Sequence, residues 1–585
     1  MRRKKIISRL TTLIVATLGC LLLALLAPVF LAQRAIDEPF LGYAVMASPR
    51  DLHVVTSPIR LSEAPHLMLT RGSLYADGNA VVGTPISRFV LDGAVFNLNA
   101  SGLQAIMPSF EAGPEAAGAT FITPLVEQLM AMSFDVLIVR RGTLNITASD
   151  GTYEALGDIQ AELTGGRKGQ IAGKGSFTVR GQRLSFDTTL TSPADKRAPQ
   201  RWAMKAALKG DLLEASFDGH LDAAEDLQLA GLTELKSPSL RRAARWFGVP
   251  ISNAEGLNAL VVKGQMNWAR RTVAIEKAKV TIDGNEATGA VVLNLAGERP
   301  LIDGTLAFGG LDLTPYLEAA RAQSFVFDRQ TASWSVFDLS FPLIKYVDAD
   351  LRISAPKVVL KDYGLGRGAV TISVRSGKLL AELAELELHS GTVSGQITAN
   401  TNELVPRYAL RGKIENFEAG PAGASLFGAS VLTGRSTLLI DIAGAGQTPA
   451  QLLRQLSGKA TLSMPEGGKL PLDLKAVRAA AKADGPPGWG QMVKGQVGLD
   501  QIEAKALIKD GVLVAETVLA RSGAIGLGAT GRVDLAEQTL DLRLLMKPNV
   551  PTDRPLKPAD VVDGEAVALR GSWHTPFVRA ESAPK

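Results

Sequence analysis

Apolar and polar side chains alternate residue by residue along much of this 585-residue chain, and this period limits its fold more than any other feature. In the stretch "GRVDLAEQTLDLRLLM", residues 531–546, the polar positions include Asp534, Asp541 and Arg543. The alternating apolar positions are Val533, Leu535, Leu540, Leu542 and Leu544. Because successive side chains of a β-strand point to opposite faces, the stretch predicts a hairpin with one apolar and one polar face.

The same alternation recurs in other segments, which end at turn signals such as Ser376-Gly377-Lys378. The further apolar positions are Leu184, Phe186, Val370, Ile372, Val374, Leu386, Leu388, Leu438 and Ile440. Short alternating strands with regular turn signals predict a mainly β fold. A few short amphipathic helices interrupt it, among them "SPSLRRAARWFG" at 237–248 and "QTPAQLLRQLSG" at 447–458.

An uncharged apolar run, residues 10–32, follows a basic tail, residues 1–9. The tail carries Arg2, Arg3, Lys4, Lys5 and Arg9, and the run includes Leu10, Leu18, Leu22, Leu26 and Phe30. About 20 apolar residues cross a bilayer as a helix, so the run predicts a single transmembrane anchor. The basic tail then predicts a cytoplasmic N-terminus and a periplasmic location for the rest of the chain. A cleaved signal peptide is the alternative, but a cut after Ala32 would place Phe30 where a small residue is needed.

The charge of the chain argues against nucleic acid as a partner. The five cations of the tail equal the whole formal net charge of +5, so the rest of the chain is balanced and predicts no basic surface for phosphates. The single cysteine, Cys20, lies inside the apolar run, so no disulfide framework is predicted.

The sequence offers no motif for catalysis or for a cofactor. "GLGATG", residues 526–531, fits the dinucleotide pattern, but an alternating stretch follows it instead of a helix, and a Gly-rich β-turn is the better interpretation. The five histidines lack metal-binding spacing, and H-E-x-x-H, G-x-S-x-G and Walker A motifs are absent. We therefore expect no enzyme activity, no cofactor and no metal site.

An ordered series of segments in the C-terminal half resembles a known family. The segments are "LTGRSTLLIDIAGAGQTPAQLLRQLSGKATLSMPEGGKLPLDLKAV", "IEAKALIKDGVLVAETVLARSGAIGLGATGRVDLAEQTLDLRLLMKP" and "VALRGSWHTPFVRAE". Together they are similar to the AsmA-like proteins of the Gram-negative envelope, and the resemblance covers most of residues 200–585.

The resemblance implies anchorage in the inner membrane and a role in outer-membrane assembly and envelope lipid homeostasis. Larger relatives resemble bridge-like lipid-transport proteins, which implies a long, twisted antiparallel sheet curled into an apolar groove. The expected regions are the tail, the anchor, an N-terminal β region at 33–120, a middle groove region at 121–323 and an AsmA-like β region at 324–585. The expected partners are the inner membrane, phospholipids and outer-membrane or periplasmic proteins.

Two functions fit this pattern. In the first, the apolar positions named above line a groove that shields the acyl chains of phospholipids in the periplasm. In the second, the same faces close on one another as a packed core, and the protein is a structural or regulatory scaffold for outer-membrane protein assembly without lipid cargo. The two differ in whether protein covers the apolar faces.

Overall fold

The computed structural model describes most of the chain beyond residue 51. The described residues are 52–55, 59–60, 67–76, 88–99, 136–147, 153–165, 169–191, 201–222, 228–249, 256–316, 327–328, 333–334, 339, 341–360, 363–388, 391–421, 432–476, 479, 493–572 and 576–581. The predicted basic tail and anchor lie outside them. Among the described residues, no helix combines the length and hydrophobicity that a membrane crossing requires.

The chain divides into two compact units, residues 1–251 with 257–307 and residues 252–256 with 308–585. The described strands of unit 1 are β1 (Leu52–Val55), β2 (Ile59–Arg60), β3 (Leu67–Ala76), β4 (Arg88–Asn99), β5 (Val136–Thr147), β6 (Tyr153–Thr164), β7 (Gln170–Val179), β8 (Gln182–Thr191), β9 (Arg201–Gly210), β10 (Glu214–Asp222), β11 (Gln228–Ser237), β12 (Leu260–Ala269), β13 (Thr272–Ile282), β14 (Asn285–Asn294) and β15 (Leu301–Phe308). Helix α1 (Leu240–Trp246) lies within the predicted helical stretch 237–248 and begins after its N-cap Ser239.

Unit 2 is also built mainly of strands. They are β16 (Leu311–Asp312), β17 (Phe327–Asp328), β18 (Ser333–Trp334), β19 (Asp348–Ala355), β20 (Val358–Leu360), β21 (Tyr363–Leu365), β22 (Gly368–Arg375), β23 (Lys378–Leu388), β24 (Gly391–Asn400), β25 (Arg407–Glu418), β26 (Arg435–Ala445), β27 (Ser457–Met464), β28 (Gly468–Leu470), β29 (Val497–Leu499), β30 (Gln501–Lys509), β31 (Val512–Ser522), β32 (Ile525–Asp534), β33 (Thr539–Pro548), β34 (Glu565–Ser572) and β35 (Phe577–Glu581). Helix α2 (Pro449–Arg454), capped by Thr448, and two 3₁₀ turns (Pro342–Lys345 and Pro558–Asp560) lie between the strands, and residues 314–316, 419–421 and 474–476 are also helical.

Neighbouring strands in each unit pair in sequence order, which confirms the predicted mainly β, mostly antiparallel fold. In unit 1, pairing runs from β3 to β14. In unit 2, it runs from β19 through β22–β27 to β30–β35. Two described pairs depart from the predicted antiparallel pairing: β4 pairs in parallel with β5, and the short strands β16 and β20 also pair in parallel. A parallel pair needs a connection of about a dozen residues or more, and residues 100–135 supply that length.

The "GLGATG" stretch lies inside strand β32 and is not a turn. Gly526 and Gly528 lack side chains where Val550 and Val561 pack: a Cβ at Gly526 would lie 2.7 Å from Val550 and 2.8 Å from Val561. These valines belong to the loop after β33, which folds back over β32. The next strand, β33, pairs with β32 along its whole length, so the pattern has no helix to receive a phosphate.

Candidate functional site

One face of the unit 2 sheet carries two adjacent rows of residues without a polar side chain. The first row crosses thirteen strands: Ile353, Val370, Leu383, Gly395, Gly412, Ile440, Ala460, Ala506, Ala515, Gly531, Leu542, Leu569 and Val578. The second row lies two residues along each strand: Leu351, Ile372, Ala381, Ile397, Leu410, Ile442, Gly458, Ile508, Leu513, Val533, Leu540 and Gly571. We call this surface the apolar face.

On the opposite face of the sheet, the side chains that lie between the two apolar rows are mostly polar. The row between the two apolar rows holds Arg352, Thr371, Glu382, Gln396, Arg411, Asp441, Lys459, Leu507, Val514, Arg532, Asp541, Arg570 and Phe577. Cross-strand ion pairs tie it together, for example Arg570 Nε to Asp541 Oδ1 at 2.9 Å. Charged ladders of this kind keep a sheet face in water, so the two faces of the sheet meet different environments.

Small residues dominate the middle of the first row. From β24 to β32, seven neighbouring strands contribute Gly395, Gly412, Ile440, Ala460, Ala506, Ala515 and Gly531. Larger side chains flank this stretch in the second row and in the row on its other side, which includes Val393, Ile414, Leu438 and Leu462. The result is a shallow furrow that runs across the strands.

Protein covers the apolar face only in part. Ile397 is 48% exposed, and most other large side chains of the two rows are half-buried. A fully covered face would bury such side chains almost completely, and side chains in unit 1 reach that degree of burial. There, Phe186, Leu163, Trp202 and Leu208, on β6, β8 and β9, are each less than 9% exposed.

The apolar face is covered near β33–β35. Val567, Leu569 and Val578 form a buried cluster on it, and Leu540, Leu542 and Leu544 pack against this cluster. Leu472 and Ala476, which lie in the segment after β28, pack against the same cluster. This end of the face is therefore occupied by the chain itself.

The structure places the predicted apolar residues in three settings. Half-buried positions on the apolar side of the unit 2 sheet are Val370, Ile372, Leu386, Leu388, Leu438, Ile440, Val533, Leu540, Leu542 and Leu544. Val374 is buried on the same side, and Leu184 and Phe186 are buried in unit 1. Leu535 lies in the turn after β32, where its backbone N–H donates to Gly511 O and its carbonyl accepts from Trp334 Nε1.

Most of the apolar face was not predicted from the sequence, since only six of the 25 positions in its two rows were named: Val370, Ile372, Ile440, Val533, Leu540 and Leu542. Extending the alternation to the whole of β19, β23, β24 and β25 would have found five more large side chains of this face: Leu351, Ile353, Leu383, Ile397 and Leu410. The glycines and alanines of the first row give no hydrophobic signal. Their position follows only from the register of the strands.

Comparison with known proteins gives one informative match. Over 327 residues, 53% of the chain, the sequence is 21% identical to Protein AsmA of Escherichia coli (strain K12), and the match covers 53% of that protein. The chain therefore spans about half the length of this curated relative. No protein-family model and no solved structure matches.

Proposed function

The chain is AsmA-like, and from that assignment we propose that it is a non-enzymatic envelope protein that handles phospholipid. Residues 10–32 would anchor it in the inner membrane with the tail in the cytoplasm and both units in the periplasm. Acyl chains would lie against the apolar face and be shielded there from water, in the service of lipid homeostasis and outer-membrane assembly.

The observation that carries this proposal is the pair of apolar rows. The twenty-five positions of the two rows, on thirteen strands, contain no polar side chain, while eight of the thirteen side chains in the row between them on the other face are charged. Most of these positions are half-buried and Ile397 is 48% exposed, and an apolar surface of this extent is costly unless something apolar covers it. An acyl chain needs no polar group for recognition, which agrees with a face that offers none.

The furrow suits an extended acyl chain in size. Its seven strands, spaced by about 4.8 Å, give it a length of about 29 Å. One leaflet of a bilayer core measures about 15 Å, so the furrow accommodates an acyl chain lying at right angles to the strands. Each buried CH₂ contributes about 0.8 kcal/mol, and a chain of about 16 carbons could gain on the order of 10 kcal/mol before ordering costs.

Site-specific photocrosslinking in living cells tests the proposal. A photoreactive amino acid replaces Ile397 on the apolar face in one strain and its neighbour Gln396 on the polar face in another. We expect lipid adducts at position 397 and none at 396. Protein crosslinks alone at position 397 would show that another protein surface covers the face, and lipid handling would be rejected.

A second candidate function rests on unit 1. The near-complete burial of the apolar side chains on β6–β9 is what a closed core requires, as expected for a structural or regulatory scaffold in outer-membrane protein assembly. A photoreactive residue in place of Phe186 separates the two functions in this unit, since a scaffold core gives only crosslinks within the chain.

A further inference from the structure

The segment Leu470–Ala476, here called the covering segment, lies on the same surface that we assign to lipid. Leu472 and Ala476 pack against the cluster formed by Val567, Leu569 and Val578, all on the apolar face. The first row reaches this cluster directly, because Leu542 pairs with Leu569 and Leu569 pairs with Val578. The covering segment therefore ends the accessible part of the face.

The covering segment is firmly attached on one side. Leu470, Leu472 and Leu474 pack against a second buried cluster, Met464, Val497, Leu499 and Ile502. The side chain of Asp473 accepts hydrogen bonds from the backbone N–H groups of Lys475 and Ala476, at 2.8 and 3.2 Å. These contacts hold the start of the segment beside β28 and β29 and direct its end over β33–β35.

On the other side, the covering segment meets the cluster on β34 and β35. Only Leu472 and Ala476 of the covering segment join the cluster on β34 and β35, and Leu540, Leu542 and Leu544 beneath stay half-buried. The contacts of Leu472 and Ala476 with this cluster join apolar side chains, and the methylene groups of an acyl chain can make contacts of the same kind. Lys475, between the two, is exposed and keeps the outer side of the segment in water.

We propose that the covering segment competes with lipid for the apolar face over β33–β35. This inference rests on the proposed function. When the segment is seated, acyl chains reach the face as far as the strands before β33. When Leu472 and Ala476 leave the cluster of Val567, Leu569 and Val578, while Leu470 and Leu474 keep the segment on the second cluster, the first row becomes continuous to Val578.

The test measures crosslinking at two positions in the full-length protein in cells. A photoreactive residue replaces Leu542 under the covering segment, or Ile397 on the open face. The protein is otherwise wild type, or carries Leu472→Ser with Ala476→Ser. We expect the wild-type probe at 542 to crosslink mainly to peptide 470–476, and the double variant to show a several-fold rise in lipid adducts there. Lipid adducts at 397 should stay the same, which also reports that the sheet is folded.

Lys475→Ser is the matched control, because it changes the exposed side of the same segment and should leave the products at 542 unchanged. Lipid at 397 without any rise at 542 in the double variant would overturn the competition and make the segment a permanent cover. Equal lipid labelling at 542 and 397 in the wild type would overturn it as well. Absence of lipid at both positions would instead reject the proposed function itself.

Discussion

Gly531 shows how strongly a single residue of the apolar face is constrained. Its φ is 121°, and a Cβ there would lie 2.2 Å from the carbonyl oxygen of Asp541 on the paired strand. We predict that Gly531→Ala destabilises the protein by about 1–3 kcal/mol, because an L-residue has to bear the backbone strain and push β33 away. Denaturant unfolding of the two proteins measures the difference.

Gly412 provides the control in the same row. A Cβ at this position meets only Ser394 O at 3.6 Å, an ordinary contact. Gly412→Ala should therefore be neutral or stabilising by up to about 1 kcal/mol. If both substitutions destabilise equally, the loss at Gly531 comes from added volume on the face and not from its backbone.

The hydrogen bonds of the Asp560 carboxylate predict that the stability of the protein depends on pH. Arg554 donates two hydrogen bonds of 2.8 Å to its carboxylate and the Lys557 N–H donates a third, and these lower the pKa of Asp560 to about 2. A lowered pKa stabilises the fold above the unfolded value of 3.8, and that stabilisation is lost as the pH falls toward 2. As the pH falls from 3.8 to about 2, the wild type should therefore unfold more readily. Asp560→Asn should lack this part of the pH dependence.

The matched control for that measurement is Asp553→Asn, on the same loop and exposed. Its unfolding should follow the wild-type pH profile. A wild-type profile for Asp560→Asn would show that the Arg554–Asp560 pair does not hold the loop over β32.

Alternation predicted several of the large apolar side chains but none of the small ones. Val533 and Leu540 pair across the β32–β33 hairpin as the sequence indicates. Gly412, Ala460 and Ala506 carry no hydrophobic weight, so only strand register reveals that they form the floor of the furrow. Leu535 has the correct parity but lies one residue beyond the end of β32.

At the scale of elements, hairpins were predictable and departures from them were not. The Ser376-Gly377 turn joins β22 to β23 as its sequence indicates, and α1 and α2 begin at their Ser and Thr caps. The parallel pairing of β4 with β5 depends on how a long connection returns, which has no local signal.

Helix α1 is held by an ion pair that joins distant elements. Arg180, in the turn after β7, donates to Glu154 on β6 at 2.9 and 3.0 Å and to the carbonyl of Trp246 at 3.2 Å. Both charged side chains are mostly buried, at 18% and 10% exposure. We predict that Arg180→Met costs about 3–5 kcal/mol, because it leaves Glu154 buried without its cation.

The double variant Arg180→Met with Glu154→Met separates loss of the pair from loss of packing. It should recover much of the stability, since no unpaired charge remains. Unfolding midpoints of the wild type, the two single variants and the double variant form a complete cycle. A double variant that is less stable than either single variant would contradict this role of the pair.

At the scale of the whole molecule, the same alternation has two outcomes. The apolar side chains of β6–β9 in unit 1 are buried, whereas those of β22–β33 in unit 2 are mostly half-exposed. The sequence of a strand shows which face of the strand is apolar, but it does not show what packs against that face. The choice between a closed core and an open face therefore could not be predicted from the sequence.

The most direct measurement is the amount of phospholipid bound per chain by the full-length protein, transferred from detergent to an amphipathic polymer and analysed by mass spectrometry. Ala506→Asp places a charge in the furrow, and Leu507→Asp places the same charge one residue away on the polar face. Circular dichroism checks that both variants are folded. The account predicts that Ala506→Asp loses lipid while Leu507→Asp retains the wild-type amount. Equal lipid in all three proteins would contradict binding of acyl chains to the apolar face.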